Sequence, residues 1–238
     1  MIWIESRRLL FVHNPKCAGT SIHTALLKQF PDAAVSWGRR YDVLDDDIKD
    51  MAHLTPREAV LQFGLQKPFR SFGFIRDPYA RFMSSYYHFK HWNPAHGSLT
   101  PEELAFDILD EARIRSDWKF IHFAPQYRFF LEGKRCVVDH IWKYEELPGA
   151  WQEAKREFSI DADLTVENQL ALRYREPMSD RLIARINFLY ARDFALFGFA
   201  PKRAKRQGAK GRDFYGYFAK LWPERRGLDI SDAAESEF

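Results

Sequence analysis

The chain has 238 residues, of which 46% are hydrophobic and 29% charged. That composition suits one globular domain with a sizeable core and excludes a disordered or fibrous chain. A formal net charge of +3, from 36 basic and 33 acidic residues, is too small to point to nucleic acid; the two cysteines, Cys17 and Cys136, exclude a disulfide framework.

The N-terminal stretch has no long apolar segment, and no run in the chain has spanning length. A cytoplasmic location is therefore expected. The first predicted element is a buried strand, Leu9 to Val12, an apolar run bounded by polar residues. A turn containing Pro15 and Gly19 follows, then a helical pattern in which Ile22, Ala25, Leu26 and Phe30 share one face. Strand, small-residue loop and helix start together make an anion site. The loop turns backbone N–H groups inward, and the helix N-terminus adds partial positive charge. Lys16 brings a full charge, Thr20 and Ser21 bring hydroxyls, and Cys17, Ala18 and Gly19 complete the loop. The order is not that of the common nucleotide loop, where Gly-Lys-Ser/Thr closes a glycine-spaced run. Here Lys16 precedes Gly19, and Thr20 and Ser21 follow it directly. A plain strand-turn-helix with Thr20 or Ser21 as cap is the competing reading. Cys17 has no paired base in view, so small-residue packing outweighs a nucleophilic role.

Residues 31–50 read as an irregular excursion. Its acidic cluster (Asp42, Asp45, Asp46, Asp47, Asp50) lacks the glycine and terminal glutamate of a calcium loop and reads as a solvated face. Thr55 before Pro56 predicts a helix N-cap with proline in the first position, which puts His53 just ahead of a helix. A second strand is predicted from Phe72 to Ile75, and Asp77-Pro78 starts the next helix. On that helix Phe82, Tyr86 and Phe89 share one face, and Arg81, Ser84 and His88 another. Arg76, at the strand end, can face the same mouth as Ser84, combining a planar fork with a neutral donor, as phosphate binding asks. His88, His91 and His96 lack a His-Glu-x-x-His pattern and read as a polar rim, with no metal implied.

The order Pro15-Lys16-x-x-Gly19-Thr20-Ser21 after a strand resembles the 5′-phosphosulfate loop of sulfotransferases, which use 3′-phosphoadenosine 5′-phosphosulfate (PAPS). Arg76-Asp77-Pro78-x-x-Arg81-x-x-Ser84-x-Tyr86 resembles the 3′-phosphate strand and helix of the same family. Further on, Thr100 and Pro101 predict the start of an amphipathic helix reaching Arg115, with Leu104, Ile108, Leu109 and Ala112 as its stripe. The His122-Phe123-Ala124-Pro125-Gln126 segment resembles the middle region of carbohydrate-type members. Cys136 to Trp142 is β-rich, and Lys143 to Leu147 ends it. Trp151, Ala154 and Phe158 suggest a helix, and Ser179 a cap for another with Leu182, Ile183, Ile186 and Tyr190 buried. Tyr190 to Phe199 resembles the end of the family's catalytic domain. The expected division is therefore a catalytic domain over 1–200, then a basic segment with an acidic, flexible tail over 201–238.

The strand-to-helix junctions imply an α/β fold with a mostly parallel central sheet and helices on both faces. The resemblance adds the three-layer, P-loop-like arrangement. It also implies PAPS as sulfuryl donor, held by Lys16, Cys17, Ala18, Gly19, Thr20, Ser21, Arg76 and Ser84. The reaction it implies is transfer to a hydroxyl of a glycan or glycolipid of the kind taken by glycan 2-O-sulfotransferases. Lys16 and a general base at His53 would be catalytic. His122 is the alternative base, His13 or His23 a third, and Glu58 would serve an amine acceptor. No metal, nucleic acid or membrane partner is expected, and the oligomeric state is left open. Two other classes compete. A nucleotide kinase of similar fold would need Gly-Lys-Ser/Thr and magnesium carboxylates. A non-catalytic module binding nucleotide or sulfated glycan would keep the loops and tolerate loss of His53.

Overall fold

The computed structural model describes residues 1–42, 46–165 and 177–204. In chain order its elements are β1 (Ile2–Ile4), β2 (Leu9–Val12), α1 (Gly19–Gln29), β3 (Ala34–Val35), β4 (Arg39–Asp42), β5 (Asp47–Asp50), α2 (Pro56–Phe63), β6 (Arg70–Ile75) and α3 (Pro78–Trp92). They continue with α4 (Pro101–Glu103), α5 (Arg113–Ser116), β7 (Leu131–Glu132), β8 (Arg135–Cys136), β9 (His140–Lys143), α6 (Leu147–Phe158), α7 (Asp180–Leu189) and α8 (Ala191–Phe197).

A five-stranded sheet in the order β3-β1-β2-β6-β9 forms the centre. β2 pairs with β6 in parallel, Leu9 opposite Arg70 and Val12 opposite Gly73, and β6 pairs in parallel with β9. β1 runs antiparallel to both β2 and β3. The expected mostly parallel central sheet is therefore present.

Side chains alternate across a pleated strand, and this alternation feeds two cores. Ile2, Ile4, Leu9, Phe11, Phe72 and Phe74 pack with Ile22, Ala25 and Leu26 of α1 and Trp151, Ala154 and Phe158 of α6. The intervening Trp3, Leu10, Val12 and Ile75 pack with Leu54, Phe129, Phe130 and Phe197. A third cluster joins Phe82 and Tyr86 of α3 to Leu182 and Ile186 of α7. Each large apolar side chain so buried stabilises the fold by about 1.5–3 kcal/mol. Gly73 has no room for more: a Cβ there would lie 2.7 Å from Phe130 Cε1 and 3.0 Å from the Val12 carbonyl oxygen.

Two expectations are corrected. The 31–50 excursion contains a regular hairpin, β4 against β5, with Arg39 opposite Asp50. The helix expected over Thr100 to Arg115 is broken. Thr100 and Glu103 do form a capping box, but a wide turn at Leu104–Ile108 follows and Leu109 is extended, with ψ 117°. The cause is tertiary. Arg185 of α7 donates from Nε to the Ala105 carbonyl (3.0 Å) and from Nη2 to the Leu109 carbonyl (2.8 Å), taking acceptors a continuing helix would need. The Asp110 carboxylate also receives Arg113 N–H at 2.7 Å, a local bond that competes with helix. Lys202 and Arg203 are exposed, and the remainder of the expected basic run and tail, from residue 205 on, lies outside the described residues. No helix among the described residues is long and apolar enough to cross a membrane.

Candidate active site

The turn from β2 into α1 is held in an unusual backbone shape. Lys16 and Ala18, neither of them glycine, have φ of 65° and 61°. Left-handed geometry at such residues costs about 1–3 kcal/mol each and persists only where the surroundings enforce it. Asn14, buried beneath the loop, provides the enforcement. Its Nδ2 donates to the Phe74 carbonyl and to Gln126 Oε1, both at 2.9 Å, and lies 3.2 Å from Cys17 Sγ. Gly19 is required by contact: a Cβ there would lie 1.6 Å from His13 Nε2. Cys17 turns its thiol into the core under α1, and burial pushes it up to about 12. The thiol is therefore no nucleophile, and this residue can meet a ligand only through its backbone.

Arg76 follows β6 directly. Gln126 clamps its backbone, accepting from Arg76 N–H at 2.9 Å and donating to its carbonyl at 2.8 Å. The guanidinium donates to the Lys16 carbonyl at 3.0 Å and lies 4.2 Å over the Tyr144 ring. Its Nε is buried with no hydrogen-bond partner among the described residues. Burial, and then the Arg76 charge, lower the Lys16 ammonium to about 8. Ser84 enters from α3, whose start is set by Asp77 accepting from Ala80 N–H at 2.9 Å. Two cations, a buried unsatisfied N–H and a turned-in loop are a donor set suited to a polyanion.

These groups line a cleft of about 670 Å³ that also holds His13, His53, His88 and His122. His53 Nδ1 lies 2.9 Å from the His13 carbonyl oxygen, which makes it the donor and leaves the lone pair on Nε2. His122 Nε2 lies 3.2 Å from that atom. The ring of His88 is 4.3 Å from that of His122, and the ring of His13 is 4.4 Å from that of His53. Burial keeps all four neutral, lowering His53 to about 4 and His88 to about 3, and His13 and His122 well below the usual range. The His122 carbonyl is fixed from α3 by Arg81 Nη1 (3.1 Å) and Ser85 Oγ (2.7 Å). Asp50, at the end of β5, contributes a half-buried carboxylate, and one ligand atom each from Asp50, His53 and His122 lie within 4.8 Å of one another. Trp37, Trp92 and Trp118 form an outer aromatic wall, with Arg39 lying 4.5 Å over the Trp118 ring.

The structure brings Lys16, Ala18, Gly19, Thr20, Ser21, His53, Arg76 and Ser84 to this one cleft. Cys17 keeps its side chain out of it. Of the alternative bases, His122 and His13 line the cleft, whereas His23 lies against Trp37, with ring centroids 4.5 Å apart. Glu58 is corrected as a candidate: its carboxylate closes the α2 capping box, taking Thr55 N–H and Oγ1–H, both at 2.7 Å. Arg81, on the α3 face it shares with Ser84, is buried. Sequence reasoning missed Asn14, Gln126, Tyr144 and Asp193. Asp193 accepts from Gln126 N–H (2.8 Å) and Tyr127 N–H (2.9 Å), and burial raises it to about 6. The signals for this network were the family-like stretches that hold Gln126, Tyr144 and Asp193, which marked the regions and not the roles.

Residues 1–200 match the family model described as the sulfotransferase family. Neither curated proteins nor solved structures gave a match.

Proposed function

Since this chain belongs to the sulfotransferase family, we propose that it moves a sulfuryl group from PAPS to a hydroxyl of a carbohydrate-containing acceptor, with His53 as general base. The observation that carries the reading is the meeting of Lys16 and Arg76 in one cleft with the β2–α1 loop, Ser84 and His53. The orphaned Arg76 Nε suits an anionic oxygen. In this reading Lys16, the loop N–H groups and the Thr20 and Ser21 hydroxyls hold the 5′ end of the donor, and Arg76 and Ser84 hold its 3′-phosphate. Bound there, PAPS supplies the sulfuryl group and a phosphate leaving group. Lys16 and the loop offset charge that grows on the leaving phosphate, as a preorganised electrostatic site does. In-line positioning provides much of the rest.

His53 has the tautomer that a base needs, with Nδ1 tied to the His13 carbonyl and the lone pair on Nε2, where an acceptor hydroxyl would take the place of His122 Nε2 as its partner. Burial, only partly offset by the Asp50 carboxylate and the His13 carbonyl, makes it a weak base, at about 4. The negative charges of a bound donor would raise it toward the working range, coupling base strength to donor binding. The exposed tryptophans at the mouth suit the apolar faces of sugar rings.

Labelled PAPS with a panel of saccharide acceptors, run on the wild type and His53→Ala, is the decisive experiment. The variant should lose at least about a hundredfold in turnover while adenosine 3′,5′-bisphosphate binds as before. Normal turnover in the variant would reject the base. Stabilisation by ATP with magnesium in place of the bisphosphate would reject the donor.

A further inference from the structure

We propose that Asp50, His53 and His122 form a binding site for a zinc-class divalent cation at the heart of the cleft. The two facing imidazole nitrogens, His53 Nε2 and His122 Nε2, are 3.2 Å apart. Two nitrogens at about 2.0–2.1 Å from one tetrahedral zinc ion sit about 3.3–3.4 Å apart. A carboxylate oxygen of the half-buried Asp50 lies within 4.8 Å of a ring nitrogen of each of these histidines.

The supporting hydrogen bonds also have the form that ligation uses. His53 donates its other ring nitrogen to the His13 carbonyl at 2.9 Å, which orients the ring and keeps the Nε2 lone pair available. Asp50 Oδ1 accepts from Ala52 N–H at 3.0 Å. The His122 main chain is anchored by Arg81 and Ser85. Without the ion, His122 Nε2–H donates to His53 Nε2. With it, His122 moves its ring proton to Nδ1, and no net proton is released. The carboxylate would offset one of the two positive charges, and a fourth ligand would come from the cleft that all three residues line.

The consequence for catalysis rests on the reading of His53 as base. An ion on Nε2 occupies the lone pair that would take the acceptor's proton, so zinc is an inhibitor of transfer and not its cofactor.

The test is equilibrium dialysis of the tag-free chain against Zn²⁺, together with Co²⁺ as a visible probe. One ion per chain is expected, with intense tetrahedral cobalt bands and a raised unfolding temperature. Asp50→Asn and His122→Gln should each weaken binding at least about tenfold, whereas His91→Gln should leave it unchanged. Asp50 and His122 are both half-buried, so either variant remains informative if the other fails to fold. Substoichiometric binding, wild-type affinity in Asp50→Asn, or an octahedral cobalt spectrum would overturn the site. Zinc should also suppress labelled sulfate transfer, with recovery on adding a chelator; undiminished transfer by zinc-loaded protein would overturn placement of the ion on His53. Zinc binding with this variant pattern in a protein that never transfers sulfate would uphold the site while removing the proposed function. Transfer without zinc binding would do the reverse.

Discussion

Lys16 is the residue on which the donor reading bears most heavily, and its charge is conditional. Burial and the nearby Arg76 guanidinium lower its ammonium to about 8, within reach of ordinary buffers. Below that value Lys16 is charged and can meet an anion. Above it the amine is neutral, and Arg76 alone remains charged of the pair. Affinity for adenosine 3′,5′-bisphosphate should therefore fall as pH rises through about 8, and titration calorimetry across that range would show it. Bound anion favours the charged form, so the midpoint in the complex should lie higher than in the free protein. Lys16→Ala should flatten this pH dependence and lower turnover by about a hundredfold or more. A pH profile unchanged by the substitution would separate Lys16 from the donor.

At the scale of elements, the site is the junction of two parallel strands with the helices that follow them, and Gln126 is the tie between the junctions. Through one amide it joins Asn14 after β2 to Arg76 after β6, and its own N–H is held by Asp193 on α8. Replacing it by leucine leaves Asn14 Nδ2 with one acceptor fewer and the Arg76 backbone with no partner at either end in this network. Each buried group so orphaned costs about 1–3 kcal/mol. Gln126→Leu should thus lower stability to urea by several times that of a typical surface change, and donor affinity with it, because the two junctions lose their common reference. Urea titration and bisphosphate binding, measured on the same preparation, check the two effects together. Retained stability would show that the strands alone set the spacing.

For the whole molecule, the cleft histidines make acid the weak side of the fold. His13, His53, His88 and His122 all have folded-state values lowered by burial. In the unfolded chain they protonate near the ordinary histidine value of about 6.5, so between that and about 4 the unfolded state binds more protons. Stability is then full above the unfolded value and is lost as pH falls. Asp193 works in the opposite sense: raised to about 6, it takes up its proton in the folded state first and stabilises slightly on acidification. Four groups outweigh one, and the unfolding midpoint in urea should decrease from pH 7 to pH 4, partly relieved in His88→Gln. A midpoint that is level over this range would mean that the cluster is hydrated.

Local pattern alone determined a good part of this protein. The strand Leu9 to Val12, the helix starts at Pro56 and Pro78 with their Thr55 and Asp77 caps, and the apolar stripes of α1, α6 and α7 depend on neighbours within a few residues. Periodicity and capping chemistry report such neighbours directly. That Lys16, Gly19, Arg76 and Ser84 face one mouth was legible for the same reason, each being fixed in spacing to a strand end. What the tertiary structure alone decided lies across long separations. Arg185 breaking the 100–115 helix, Gln126 joining two strand ends, and Asp50, His53 and His122 converging are set by how the layers pack. A hydrogen bond between distant residues leaves no period in the chain, because nothing in the intervening sequence has to repeat for the two ends to meet.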